Sequence, residues 1–232
     1  MDYTESGTDM KEASKKSLWL GIIVVICCVA MAIIDYVVEP AYIIKCGLKI
    51  GFFLFVPLIF MKLQRERVFT DSFSLNKKSV FKLLGLGLII YVVIMSAFLV
   101  TKGIFNYSYL VDSLSKDQNV SPKSFIWVAL YISFCNSLLE EFLFRFVAFI
   151  KLSEYTAKKT AYIFSSLMFA IYHIAMLGSS FPFPLLMLTL MGLAVGGAIF
   201  DYVDDKSRNI YNSWIIHMFA DFAIMTIWYI HI

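Results

Sequence analysis

The chain has 232 residues, 60% of them hydrophobic and 17% aromatic, with a formal charge of only +3. Soluble domains are about 45–50% apolar, so this excess, gathered into long runs, predicts an integral membrane protein. The small net charge gives no electrostatic footprint for nucleic acid, and none is expected as a partner.

Residues 1–16 are polar and of mixed charge and read as a cytoplasmic N-terminal tail. The apolar run after Lys15 and Lys16 has no small-residue cleavage site, which predicts a retained helix rather than a removed signal. A helix of roughly 20 residues crosses the hydrocarbon of a bilayer at about 1.5 Å per residue. On that measure the sequence predicts seven spans: Leu18–Val38, Tyr42–Met61, Phe81–Val100, Phe125–Ile150, Ala161–Leu177, Leu185–Tyr202 and Tyr211–Ile232. Residues 17–123 hold the first three helices and a basic inner connection, and residues 124–232 form the core that carries the polar motifs. The expected fold is all-α and polytopic.

Fourteen basic residues fall on one side of these spans: Lys11, Lys15, Lys16, Lys62, Arg65, Arg67, Lys77, Lys78, Lys82, Lys151, Lys158, Lys159, Lys206 and Arg208. The other side holds Lys102, Lys116 and Lys123. By the positive-inside rule this predicts a cytoplasmic N-terminus and an outer C-terminus. The short loops fit a bacterial plasma membrane. Lys45 and Lys49, one turn apart in the second span, are expected to snorkel or to face a wet cavity. The stretch from Lys62 to Lys82, with Val68, Phe69, Phe73 and Leu75, reads either as a segment lying on anionic lipid or as a solvated loop. Pro182 and Pro184 are placed in an outer loop, and Gly192 and Gly196 form a G-x-x-x-G pair that predicts close helix packing. Cys27, Cys28, Cys46 and Cys135 lie in apolar runs without a C-x-x-C pair, so buried thiols are expected rather than disulfides or a cysteine zinc site.

Three spans carry polar groups that need a reason, because an ionised group at mid-membrane costs at least about 2.5–3.5 kcal/mol. In the fourth, Glu141 and Arg145 are four apart and pair along one face, while Glu140 is rotated about 100° away and shares a face with Asn136. Glu140 is therefore expected to be unpaired within its helix and free to look elsewhere. The fifth span places Phe169 and His173 one turn apart, and the seventh places Ser213, His217 and Asp221 on one stripe. Counted along their helices, Glu140, His173 and His217 fall between the inner surface and the bilayer middle. They are expected to meet in a polar cavity between the fourth, fifth and seventh helices, open to the cytoplasm. His231, at the end of the chain, is placed in the headgroup region without a role. Such a convergence makes a general acid/base site, a metal site or a proton relay.

The order E-E-x-x-x-R, F-x-x-x-H, H-x-x-x-N/D resembles the CAAX-protease and bacteriocin-processing family (CPBP, also called Abi) of intramembrane endopeptidases. Here it reads Glu140-Glu141-Phe142-Leu143-Phe144-Arg145, Phe169-Ala170-Ile171-Tyr172-His173 and His217-Met218-Phe219-Ala220-Asp221. The resemblance implies catalytic roles for Glu140, Glu141, Arg145, His173, His217 and Asp221. Glu140 would be the general base, with His173 helping to hold a water, and His217 with Asp221 would face the tetrahedral oxygen. Arg145 would hold Glu141. Prenyl-protein proteases of the family usually have asparagine where this chain has Asp221, which argues mildly against a prenylated substrate. Two chemistries stay open: a metal-free activated water, or a divalent metal such as zinc held by Glu140, His173, His217 and Asp221. The implied substrate is a membrane-associated peptide or protein, in bacteriocin or signal-peptide maturation or self-immunity. A non-proteolytic regulator of another membrane protein and a proton-coupled transporter are the alternatives.

Overall fold

The computed structural model describes residues 3–66, 68, 71–73, 77–108, 123–177 and 181–230. Among these, seven helices are long and apolar enough to cross a membrane: α1 (Met10–Val38), α2 (Tyr42–Leu63), α3 (Val80–Thr101), α4 (Phe125–Glu154), α5 (Lys158–Leu177), α6 (Phe183–Ser207) and α7 (Ile210–Ile230). No strand occurs among the described residues. The helix that contains α1 begins at Tyr3, so the backbone of the expected tail continues the first span. His231 and most of the outer stretch up to Lys123 lie outside the described residues.

The bundle is built around α4. Its C-terminal half, Glu141–Lys151, touches α1, α2, α5, α6 and α7. Consequently every residue from Leu139 to Leu152 is buried, including Glu141, Arg145 and Lys151. An amphipathic helix needs one apolar face; α4 is apolar all round except where specific partners meet it, as a helix enclosed by others requires. Beside this core, α3 runs along α7 and α5 along α6. At the opposite end Phe98, Val128, Met225 and Trp228 form a second cluster, with Phe125 stacked on Trp228 at 5.1 Å.

Two close approaches fix the packing. A Cβ at Gly87 would lie 2.4 Å from the Phe219 ring, so α3 reaches α7 only because residue 87 is glycine. A Cβ at Gly197 would lie 3.1 Å from the Ser166 backbone, where α6 meets α5. The G-x-x-x-G expectation is corrected here: Gly192 and Gly196 have nothing within 4 Å of a built Cβ, and the contact falls one residue later.

Short connections carry the chain from one span to the next. Glu39 adopts φ 42° and closes α1 through its N–H to the Ile34 carbonyl, and Pro40 then cannot continue the helix. Pro184 belongs to the first turn of α6 rather than to a loop, a position where its missing N–H costs nothing. Arg208, at φ 53°, ends α6, and the Asn209 side chain accepts the Tyr211 N–H to open α7. Buried Asp204 of α6 accepts the backbone N–H and the hydroxyl of Ser213, at 3.1 and 2.7 Å, which locks α7 against α6.

The connection after α2 lies against the bundle. The Phe73 ring meets Phe142, Phe146 and Tyr211, and Glu66 accepts from Tyr155 and pairs with Lys16 at 3.2 Å. Of the residues named for a surface-bound segment, Phe69 and Leu75 lie outside the described ones. All four cysteines are free; Cys27 and Cys28 are buried as expected, whereas Cys135 is exposed.

Candidate active site

Glu140 ends a single α-helical turn, Ser137–Glu140, set between two wide π-helical segments, Tyr131–Asn136 and Glu141–Lys151. Wide turns of this kind recur at functional sites, where they re-aim side chains that a regular helix would space differently. The two neighbouring carboxylates point about 100° apart, as adjacent helical residues do, and reach different partners.

Glu140 faces α2 and α5. Its Oε1 accepts from Lys49 Nζ at 2.7 Å and from Asn136 Nδ2 at 3.0 Å, and Lys49 also donates to Asn136 Oδ1 at 2.5 Å. Its Oε2 lies 4.0 Å from His173 Nε2 and 3.8 Å from His217 Nε2. This contact bears on two expectations. Glu140 is ion-paired, through a residue 91 positions away. Lys49 does not snorkel; it is 6% exposed and lies 5.1 Å from the ring centres of both Phe53 and Tyr172. Lys45, one turn earlier, pairs with Asp35 of α1 at 3.1 Å.

Glu141 faces α7. Its Oε1 lies 2.7 Å from His217 Nδ1, and its Oε2 lies 3.3 Å from Arg145 Nε. The expected Glu141–Arg145 pair is therefore present, but Glu141 does more than anchor the arginine. A carboxylate accepts only, so His217 Nδ1 carries a proton and Nε2 points back toward Glu140. The orienting partner of His217 is thus Glu141, while Asp221 lies 3.7 Å from Nε2 on the opposite side of the ring. His173 is held in the same sense, because its Nδ1 lies 2.7 Å from the Phe169 carbonyl, which accepts only.

The aromatic residue of the F-x-x-x-H motif has a physical task. The Arg145 guanidinium lies 4.4 Å from the Phe169 ring centre and 5.0 Å from that of Phe200. His173 and His217 approach the Phe169 ring edge to face, at 4.8 and 5.7 Å. Phe200 also stacks on His217 at 5.2 Å. Arg145 further lies 3.7 Å from Asp201, which accepts from Ser165 at 2.8 Å. One cation between two rings and two carboxylates compensates the charge that burial makes costly.

Sequence reasoning missed Lys49 as a site residue, together with Asp201, Asp204 and Phe200. Asp201 and Asp204 stand near the C-terminal end of a span, where acids read as loop charges. Their one signal was the i, i+3 spacing that puts both on a single face of α6.

The four residues expected as metal ligands do not form a ligand set. Among the described residues no group of three or more His, Cys, Asp and Glu side chains is arranged to hold a metal ion. The Glu140 oxygen nearest a partner is already bonded to an ammonium.

The remaining accessibility of the cluster lies on Asn136, His173 and Asp221, the last two with side chains 15% and 18% exposed. Toward the lysine-rich end, where an opening was expected, Phe142, Phe146, Phe149 and Ile150 close the core. An apolar groove of about 550 Å³ between α1 and α5, lined by residues such as Ser17, Gly21, Thr160 and Phe164, carries no ionisable side chain and is remote from the cluster.

Fold and site together define a multi-pass membrane protein with a buried glutamate–histidine cluster. Residues 122–223 match the family described as type II CAAX prenyl endopeptidase, Rce1-like. That segment contains all three motifs, in agreement with the resemblance read from them, and it supports a CAAX-type intramembrane protease fold. The first three spans, and Lys49 with them, lie outside it. No curated protein and no solved structure matches the chain.

Proposed function

We propose that the protein is an intramembrane endopeptidase that hydrolyses a peptide bond of a membrane-associated peptide or protein by a water held between Glu140 and His173. The observation that carries this reading is the convergence of Glu140 Oε2, His173 Nε2 and His217 Nε2, at separations of 3.8 and 4.0 Å from the carboxylate oxygen. Such gaps are too long for a direct hydrogen bond and suit one bridging water. Both imidazoles have their Nδ1 protons engaged, so their Nε2 atoms are the ones available to that water and to a substrate.

In this mechanism Glu140 Oε2 takes a proton from the water as its oxygen attacks the scissile carbonyl carbon. His173 Nε2 accepts a hydrogen bond from the other water proton and fixes the direction of attack. His217, in its protonated form, donates from Nε2 to the developing oxyanion, with Glu141 holding the far side of the ring. The tetrahedral intermediate then expels the amine, the C–N bond breaks, and the amine receives the proton from Glu140. Asp221 accepts only when ionised, so it acts on the charge of His217 rather than on the oxyanion. No step is routed through a metal.

The substrate class follows from the depth of the cluster: a peptide that already lies in or at the bilayer. Maturation of a bacteriocin or signal peptide, or self-immunity to such a peptide, is compatible with that class, in a bacterial plasma membrane with the N-terminus cytoplasmic. The test is cleavage of a panel of quenched peptides in lipid vesicles, some with a prenylated C-terminal cysteine. Wild type is expected to cleave at least one, and Glu140→Ala to cleave none. Equal cleavage by the variant refutes the proposal.

The Lys49 ammonium on Glu140 favours a second reading, a non-proteolytic regulator that keeps the cluster for its structure. That reading expects the cellular phenotype of a deletion to be complemented as well by Glu140→Gln as by wild type.

A further inference from the structure

Among the described residues Lys49 is the lysine bonded to the proposed base, and it comes from α2, outside the segment that matches the family. A buried lysine with no partner would be costly; this one has two strong acceptors and two aromatic faces. It closes a ring of three hydrogen bonds: Lys49 to Glu140, Lys49 to Asn136, and Asn136 to the same Glu140 oxygen. All three involve Oε1 or the Asn136 amide, and none involves Oε2. The ring therefore fixes which carboxylate oxygen faces the imidazoles.

We propose that Lys49 is a positioning residue for hydrolysis: it holds Glu140 Oε1 so that Oε2 is presented to His173 and His217, and it makes α2 a working wall of the site. The inference rests on the endopeptidase reading. It adds to that reading a residue contributed by the N-terminal spans, which the three motifs do not contain. It also explains why Asn136, one turn before Glu140, is polar: its amide bridges the lysine and the carboxylate. A neutral residue at position 49 would leave the carboxylate free to rotate and its charge uncompensated in a water-poor site. The loss should fall on the chemical step, because Lys49 touches the base and not the peptide.

The experiment compares wild type, Lys49→Met and Lys49→Arg on the best-cleaved peptide of the panel in vesicles. Lys49→Met is expected to lower kcat about tenfold or more with KM changed less than about threefold, the pattern of an interaction that matters in the transition state. Lys49→Arg, which keeps a cation on a stem of similar length, is expected to recover a substantial part of kcat. Lys49→Met with unchanged kcat overturns the inference, as does a faster variant, which would mean that the ammonium holds the base back. Because the single variants can lose fold, thermal unfolding in detergent is measured for Lys49→Met, Glu140→Gln and the double variant. Coupling predicts that the double variant melts above Lys49→Met alone; additive losses overturn the pairing. Cleavage by wild type with an indifferent Lys49→Met sinks this inference alone, whereas cleavage by Glu140→Ala sinks the reading on which it rests.

Discussion

Arg145→Met is the substitution whose cost can be worked most fully from the structure. The guanidinium is wholly buried, 3.3 Å from Glu141 and 3.7 Å from Asp201, between the faces of Phe169 and Phe200. Methionine replaces much of the packing and none of the charge. Two buried carboxylates then lose their common cation, and breaking one buried pair from one side costs about 3–5 kcal/mol. The two ring contacts add roughly 1–2 kcal/mol between them. A loss of about 4 kcal/mol or more is large against a total stability of roughly 5–15 kcal/mol. For a chain of this length it corresponds to a fall in Tm of about 8–16 °C. The assay is thermal unfolding of the purified protein in mild detergent, beside the double variant Arg145→Met/Glu141→Gln. Neutralising one stranded carboxylate should raise the melting temperature of the double variant above that of the single. A single variant that melts within about 2 °C of wild type would refute the reasoning, because burial would then carry no charge penalty at this position.

Gly87→Ala should destabilise by about 1–3 kcal/mol, since its Cβ would meet the Phe219 ring at 2.4 Å; Gly196→Ala, with open space, should melt like wild type. Glu141→Gln keeps an acceptor for His217 but loses its charge, so kcat should fall about tenfold, the worth of roughly 1.4 kcal/mol of a charge-assisted bond. The Tyr155 phenol, partly buried and donating to Glu66, is held above its ordinary range. A raised phenol favours the protonated folded form, so its contribution is full below about pH 10 and is lost as pH rises further. Tyr155→Phe should accordingly flatten the alkaline fall of the melting temperature. If the basic residues mark the cytoplasmic side, a cysteine in place of Ala157 should react with a membrane-impermeant thiol reagent only from that side.

How much of this could be read in advance depended on the distance over which each signal acts. Span number and the Glu141–Arg145 pair are local properties, set by runs of about 20 residues and by a four-residue spacing. The meeting of Glu140, His173 and His217 is not local, and it was legible only because three motifs recur together. Lys49 shows the limit. A lysine inside a span is compatible with snorkelling, with a wet cavity or with an ion pair, and nothing within several turns of it points to Glu140. Counting residues along separate helices gives depth, but not which side chains close the site, and the phenylalanines packed below it on α4 were not foreseen for that reason. The glycine contact shifted by one residue because helix rotation, unlike spacing, is set by the neighbouring helix.

The most direct test of the central claim is the rate of peptide cleavage in vesicles by wild type, Glu140→Ala and His173→Ala, each with and without a strong chelator. A metal-free Glu140/His173 water predicts wild-type cleavage that resists the chelator, a rate lowered at least about 10²-fold in both variants, and no rescue by zinc. Wild-type activity abolished by the chelator and restored by zinc would contradict the account, and so would cleavage that survives in Glu140→Ala.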